Sequence, residues 1–189
     1  MQAQVTSSSF VARVIGAIRL DPATYEEVEH DTDATWQAVA VVAVAAILTG
    51  VGSSGGRTEN LFAGVLASVV FWAIFALFAY LVGVHLLKGP QTSATFGEVL
   101  RALGFSYAPS VFAILGLIPG IGSLIVFIAG LWSLIASVIA LRQALEVSTG
   151  RAVAIAVVAF LAMVVVLVIV ATVFGIGIVA IDSLTSRPA

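Results

Sequence analysis

Residues 102–141 read ALGFSYAPSVFAILGLIPGIGSLIVFIAGLWSLIASVIAL, forty residues without a charge. A helix needs about 20 apolar residues to cross a hydrocarbon core, so this stretch holds chain for two crossings. One continuous helix of that length would be about 60 Å long, twice the core thickness, and tilt cannot hide the excess. The stretch carries its own break at Ile118-Pro119-Gly120-Ile121-Gly122. Proline removes an amide hydrogen there, and glycine admits backbone angles that other residues avoid. The reading is two helices folded on a tight turn. A re-entrant hairpin is the alternative, because Pro109 and Gly116 interrupt the first helix. Arg101 and Arg142 share one side of the membrane in both cases.

Outward from this hairpin, charges punctuate the rest of the chain. Uncharged runs at 34–56, 60–87 and 152–181 are each long enough for one span. Five spans are expected, near 35–51, 61–87, 105–118, 121–141 and 152–181. Composition agrees: 61% of the 189 residues are hydrophobic and 10% charged, where a soluble domain averages about 25% charged. Mean hydropathy is +1.17. These values exclude a cytosolic globular enzyme, a nucleic-acid binder and a disordered chain. The fold class is an all-α integral membrane protein. Its five transmembrane helices follow an amphipathic interfacial helix and a short acidic helix. Residues 1–34 form the cytoplasmic N-terminal segment, 35–181 the membrane domain and 182–189 a short external tail.

Orientation follows the basic residues. With the N-terminus inside, the inner segments hold Arg13, Arg19, Lys88, Arg101, Arg142 and Arg151, and the outer ones Arg57 and Arg187. The N-terminus is expected in the cytoplasm and the C-terminus outside. Seven arginines to one lysine, with abundant Ala and Val, point to a prokaryotic cell membrane. The first apolar stretch, 10–20, is interrupted by Arg13 and Arg19, so a retained rather than cleaved N-terminus is expected.

Within that stretch Phe10, Val11, Val14, Ile15 and Ile18 gather on one helical face, with Ser9, Arg13, Gly16 and Arg19 opposite. This pattern suits a helix lying in the membrane interface, its arginines Arg13 and Arg19 near anionic head groups. A helix packed on the spans is the alternative. Asp21-Pro22 then starts a second helix as N-cap and first helical residue. That helix sets Tyr25, Val28, Thr32 and Trp36 against Glu26, Glu29, His30 and Asp33. Glu27 and His30 have a spacing that di-metal bundles use, but one helix cannot close such a site. The expectation is a solvated acidic face, with no metal and no cofactor.

Catalytic sets are hard to find. No Asp, Glu, Lys or Arg falls in an expected span core, and the chain has no cysteine. His85, close to Lys88, reads as an interfacial residue, and Glu98 with Arg101 as a surface pair. Gly50-Val51-Gly52-Ser53-Ser54-Gly55 matches a dinucleotide-binding string without its strand-to-helix context, and reads as a flexible loop. Ala129, Ser133, Ala136, Ser137 and Ala140 form a small-residue stripe behind Gly116, Pro119 and Gly120. Such stripes let membrane helices approach closely, here within the chain or between copies.

The middle of the chain resembles the Yip family (Yip-one domain). The motifs that carry the resemblance are His85-Leu86-Leu87, Gly89-Pro90, Leu103-Gly104-Phe105-Ser106-Tyr107-Ala108-Pro109, Ile118-Pro119-Gly120-Ile121-Gly122, Leu131-Trp132 and Ala140-Leu141-Arg142, in that order. Leu20-Asp21-Pro22-Ala23-Thr24-Tyr25 looks like the opening of prokaryotic members. The resemblance implies five spans and a cytoplasmic N-terminus. Eukaryotic members bind Rab GTPases and one another. Here the acidic, tyrosine-containing segment of those members is reduced to Leu87-Lys88-Gly89-Pro90, so GTPase binding is not carried over.

The expected function is a non-enzymatic membrane scaffold or adaptor. Its expected partners are the lipid bilayer and further copies or other membrane proteins, with no nucleic acid. A small transporter or channel subunit for lipid or apolar solutes is the alternative, and an intramembrane enzyme the third reading. Convergence of Tyr107, Ser110, Ser133 and Ser137 on a cavity would favour the transporter.

Overall fold

A computed structural model describes residues 9–185, with side chains described to Val173. The end of the expected tail, 186–189, lies outside the described residues. Seven α-helices, and no strand, occur among the described residues. They are α1 (Phe10–Ile18), α2 (Pro22–His30), α3 (Ala34–Ser53), α4 (Leu61–Leu81), α5 (Phe96–Phe105), α6 (Gly122–Ala144) and α7 (Thr149–Thr185). A π-helical turn, Val82–Leu86, extends α4, and a 3-10 segment, Ala108–Leu117, follows α5. Five stretches are long and apolar enough to cross a membrane: Ala34–Ser53, Leu61–Leu86, Phe96–Leu117, Gly122–Ala144 and Thr149–Val173.

The third of these departs from expectation. It begins at Phe96, not near 105, because Thr95 and Glu98 form a capping box that starts α5 earlier. It is also two helices of different type. Pro109 has no amide hydrogen, and the backbone tightens into ten residues of 3-10 geometry, well beyond the three or four usually seen. The surroundings explain the tolerance. In this span 56% of the most apolar window is buried, against 22–28% in the other four. Irregular backbone at membrane depth persists where protein covers it.

The other spans wrap that central one. The 3-10 segment packs chiefly on α3 and α6. At Gly52 an added Cβ would strike the carbonyl of Ala113, so α3 and the segment meet backbone to backbone. Gly52 is therefore helical and buried, where sequence suggested a loop through 50–55. Trp72 of α4 donates its indole N–H to the Leu100 carbonyl at 3.2 Å. Along α7, Ala152, Ile155, Ala156, Ala159 and Met163 are buried at helical spacing, and residues 164–173 are exposed.

The Pro119 turn lies between the 3-10 segment and α6. Gly120 has φ +85°, in the left-handed region that favours glycine. Any Cβ on Gly122 would collide with the Gly116 carbonyl, so the two glycines set how closely the chain doubles back.

Candidate functional site

Arg13 organises one end of the bundle. It is 2% exposed, inverting the expectation that it faces head groups. Its Nε and Nη2 donate to Glu27 Oε1 at 3.1 and 2.9 Å, Nη2 also to Asp31 Oδ2 at 2.6 Å, and Nη1 to Gln37 Oε1 at 3.0 Å. One guanidinium thus joins α1 to α2, to the turn after it and to α3. The planar fork of donors suits arginine to this task. Hydrogen bonding to Arg13 holds the Asp31 carboxyl below its ordinary range. Burial of so polar a residue is what the apolar-face reading could not foresee.

The rest of α1 is arranged accordingly. Phe10, Val11 and Ile15 are exposed, as is Arg19, and Val14 and Ile18 pack partly buried against the core. α2 is fixed from both sides. Tyr25, fully buried, donates its hydroxyl to the Ala17 carbonyl at 3.0 Å. From α5, Arg101 donates to the carbonyls of Val28, at 3.1 Å, and Glu29. Arg101 therefore does not pair with Glu98, whose carboxylate caps α5 through the Thr95 N–H at 2.8 Å. The acidic face of α2 is also not uniformly solvated: Glu29 is 6% exposed. Trp36, expected on the apolar side, stands out at 79% exposure.

A second feature lies among the spans. Tyr107, Ser110, Ser133 and Ser137 line one partly open cavity of about 330 Å³, whose apolar lining includes Phe71, Phe75 and Phe160. Ser110 and Ser133 share a hydrogen bond at 2.7 Å, which ties the 3-10 segment to α6. Ser137 and Ser106 donate to the carbonyls of Leu134 and Leu103, both at 2.7 Å, so their hydroxyl protons are already engaged locally. Tyr107 and Ser110 also line a larger cleft of about 650 Å³, which reaches Arg57 and Glu59 at the α3–α4 connection. These two residues form a thin polar wall between the spaces. No charged residue lines the smaller one.

The small residues singled out in sequence divide between these features. Ser133 and Ser137 line the cavity, and Ala129 is buried on α6. Gly116 abuts Gly52 and Val126, and Pro119 and Gly120 make the turn. His85 lies in the π-helical turn with Nδ1 3.2 Å from the Leu81 carbonyl. No group of three or more His, Cys, Asp or Glu suited to a metal ion occurs among the described residues.

The family model for the Yip1 domain matches residues 15–171, from α1 into α7. No curated protein and no solved structure gives a significant match. With most of its length covered by that one model, this integral membrane protein belongs to the Yip1 domain family.

Proposed function

We propose that the chain is a non-enzymatic membrane scaffold or adaptor of a prokaryotic cell membrane, with its N-terminus in the cytoplasm and its C-terminus outside. The observation that carries this reading is the Arg13 cluster. It fastens α1 and α2 to α3, so the exposed Phe10, Val11 and Ile15 of α1 and the exposed Trp36 of α3 are held on elements fixed to one another. A rigid surface binds without first losing conformational entropy, which is what a docking platform requires. The hydroxyl nearest to Ser133 is Ser110, a partner with no capacity to act as a strong base.

The convergence of Tyr107, Ser110, Ser133 and Ser137 favours a second reading, a small carrier for lipid or apolar solutes. It ranks lower because ion-coupled carriers use an ionisable group inside the bilayer, and this cavity has none. One experiment separates the two. The full chain is purified from native membranes in mild detergent, and bound proteins and lipids are identified by mass spectrometry. The comparison is a variant with Phe10, Val11 and Ile15 replaced by serine. Membrane proteins or second copies retained by the wild type and lost from the variant support the adaptor. Retention of a small solute or lipid alone, equal in both and lost on Ser133→Leu, supports the carrier.

A further inference from the structure

Beside α2 lies a polar cavity of about 580 Å³. Glu26, Glu29 and His30 enter it from α2, and Arg142 and Gln143 from the end of α6. Glu146 and Gln91 border it from the turn after α6 and the loop before α5, leaving Val147 as its only apolar lining residue. Glu29 Oε2 is the one buried side-chain polar atom among the described residues with no hydrogen-bond partner. The other oxygen, Oε1, lies 3.6 Å from His30 Nδ1, which itself sits 2.9 Å from the Glu26 carbonyl. An open acceptor on a buried carboxylate costs free energy unless a donor reaches it.

The neighbours do not supply one. Arg101, on α5, is engaged with the carbonyls of Val28 and Glu29, and Arg142 Nε donates to Gln143 at 3.2 Å. Apart from His30, the charged groups that act on Glu29 are Glu26 on its own helix, Glu98 on α5 and Glu146 after α6, all acidic. Meanwhile the walls are pre-formed. Arg101 fixes the end of α2, and Thr92 Oγ1 donates to the Leu145 carbonyl at 2.8 Å, fastening the loop that carries Gln91. A preorganised pocket with an unfilled acceptor is suited to an incoming cation.

We propose that this cavity is a binding site for a primary ammonium group, whose N–H donors reach Glu29 while Arg142 receives an anionic group on the same molecule. A primary ammonium offers three donors, and a quaternary one offers none. A bare metal ion fits less well, because the carboxylates and His30 do not converge as metal ligands, and the space is far larger than an ion. Burial pushes the Glu29 carboxyl up to about 7, with Glu26, Glu98 and Glu146 adding to the push against the pull of His30. A bound ammonium relieves that opposition by stabilising the ionised form. Two sources share this chemistry: the head group of an ethanolamine phospholipid, and a soluble phosphoethanolamine-like amine. The site stands whether or not the adaptor reading holds, since it depends on none of the residues of the α1 surface.

The test uses the full chain in nanodiscs at pH 8, with unfolding followed by tryptophan fluorescence. The lipid arm compares phosphatidylcholine discs with discs that also contain phosphatidylethanolamine. The soluble arm adds phosphoethanolamine to phosphatidylcholine discs, with phosphocholine as the quaternary control. Ligand at ten times its Kd raises Tm by about 4 °C for a chain of this size. That rise is expected with a primary amine and not with its quaternary analogue, and Glu29→Gln abolishes it. A rise in the lipid arm alone identifies a head group, and a rise in the soluble arm a free amine. If Glu29→Gln does not fold, Glu146→Gln serves, with at least a threefold weaker response to the same amine. Equal shifts with primary and quaternary compounds, no shift in either arm, or a wild-type response in a folded Glu29→Gln chain would overturn the proposal.

Discussion

Replacing Glu29 with glutamine removes a charge that the fold resists and keeps the size of the side chain. Glu29 is 6% exposed, and desolvation moves its carboxyl from an ordinary 4.5 to about 7. The sign follows from that direction. A carboxyl whose pKa is raised on folding contributes its full stability below about 4.5, and that contribution is lost as pH rises through about 7. The distance between the two values corresponds to about 3 kcal/mol, an upper figure for a group whose surroundings can relax. Glu29→Gln carries no such titration. Wild type and variant should therefore have similar stability at pH 5 and diverge through pH 6–8, with the variant ahead by up to about 10 °C in Tm at pH 8.5. His30 is raised as well, first through its hydrogen bond to the Glu26 carbonyl, so its contribution also fades with rising pH. Because His30 is present in both chains, much of its contribution cancels in the difference. The assay is thermal unfolding by intrinsic fluorescence in amine-free phosphate or borate buffers. Parallel curves for the two chains from pH 5 to 8.5 would refute the reasoning.

Arg13→Ala leaves the Glu27 and Asp31 carboxylates facing each other without their shared cation, and should cost about 3–5 kcal/mol by denaturant titration. Arg13→Lys should recover only part of it, because one ammonium cannot reproduce the forked contacts. Gly122→Ala, forced against the Gly116 carbonyl, should lower the yield of folded protein measured by size-exclusion chromatography, and Gly120→Ala should do so less. Ser133→Ala removes the hydrogen bond to Ser110 and should lower stability by about 0.6 kcal/mol, with the spans unchanged by protease mapping.

The five crossings were legible because span length and charge punctuation are local properties, and the hairpin because Pro119, Gly120 and Gly122 concentrate in five residues. The start of the third span, expected near 105, was misplaced, although a signal for Phe96 was present. Thr95 followed by Glu98 three residues later is a capping signature, obscured here by pairing Glu98 with Arg101. Arg13 and Arg101 were not legible. Each looks like a surface residue by type, and each is buried through partners 14 to 73 positions away, among them Glu27 and the Val28 carbonyl. Periodicity set Phe10, Val11, Val14, Ile15 and Ile18 against Ser9, Arg13, Gly16 and Arg19, but the structure divides both sets: Val14 and Ile18 pack partly buried, and Ser9 and Arg19 are exposed. The ion cluster buries Arg13 itself, and Phe10, Val11 and Ile15 are left outside. The cavity of Tyr107 and the serines likewise depends on how α6 meets a 3-10 segment, which Pro109 hints at but does not determine.

Five crossings with both N-terminal helices on the cytoplasmic side can be tested through accessibility. The sequence has no cysteine, so each introduced thiol is the sole one. Ser93→Cys lies in the exposed loop before α5, and Ile121→Cys in the exposed turn before α6. A membrane-impermeant maleimide applied to intact cells should label Ile121→Cys and leave Ser93→Cys unlabelled until the membrane is opened. Labelling of both residues from the same side would contradict the five-span arrangement.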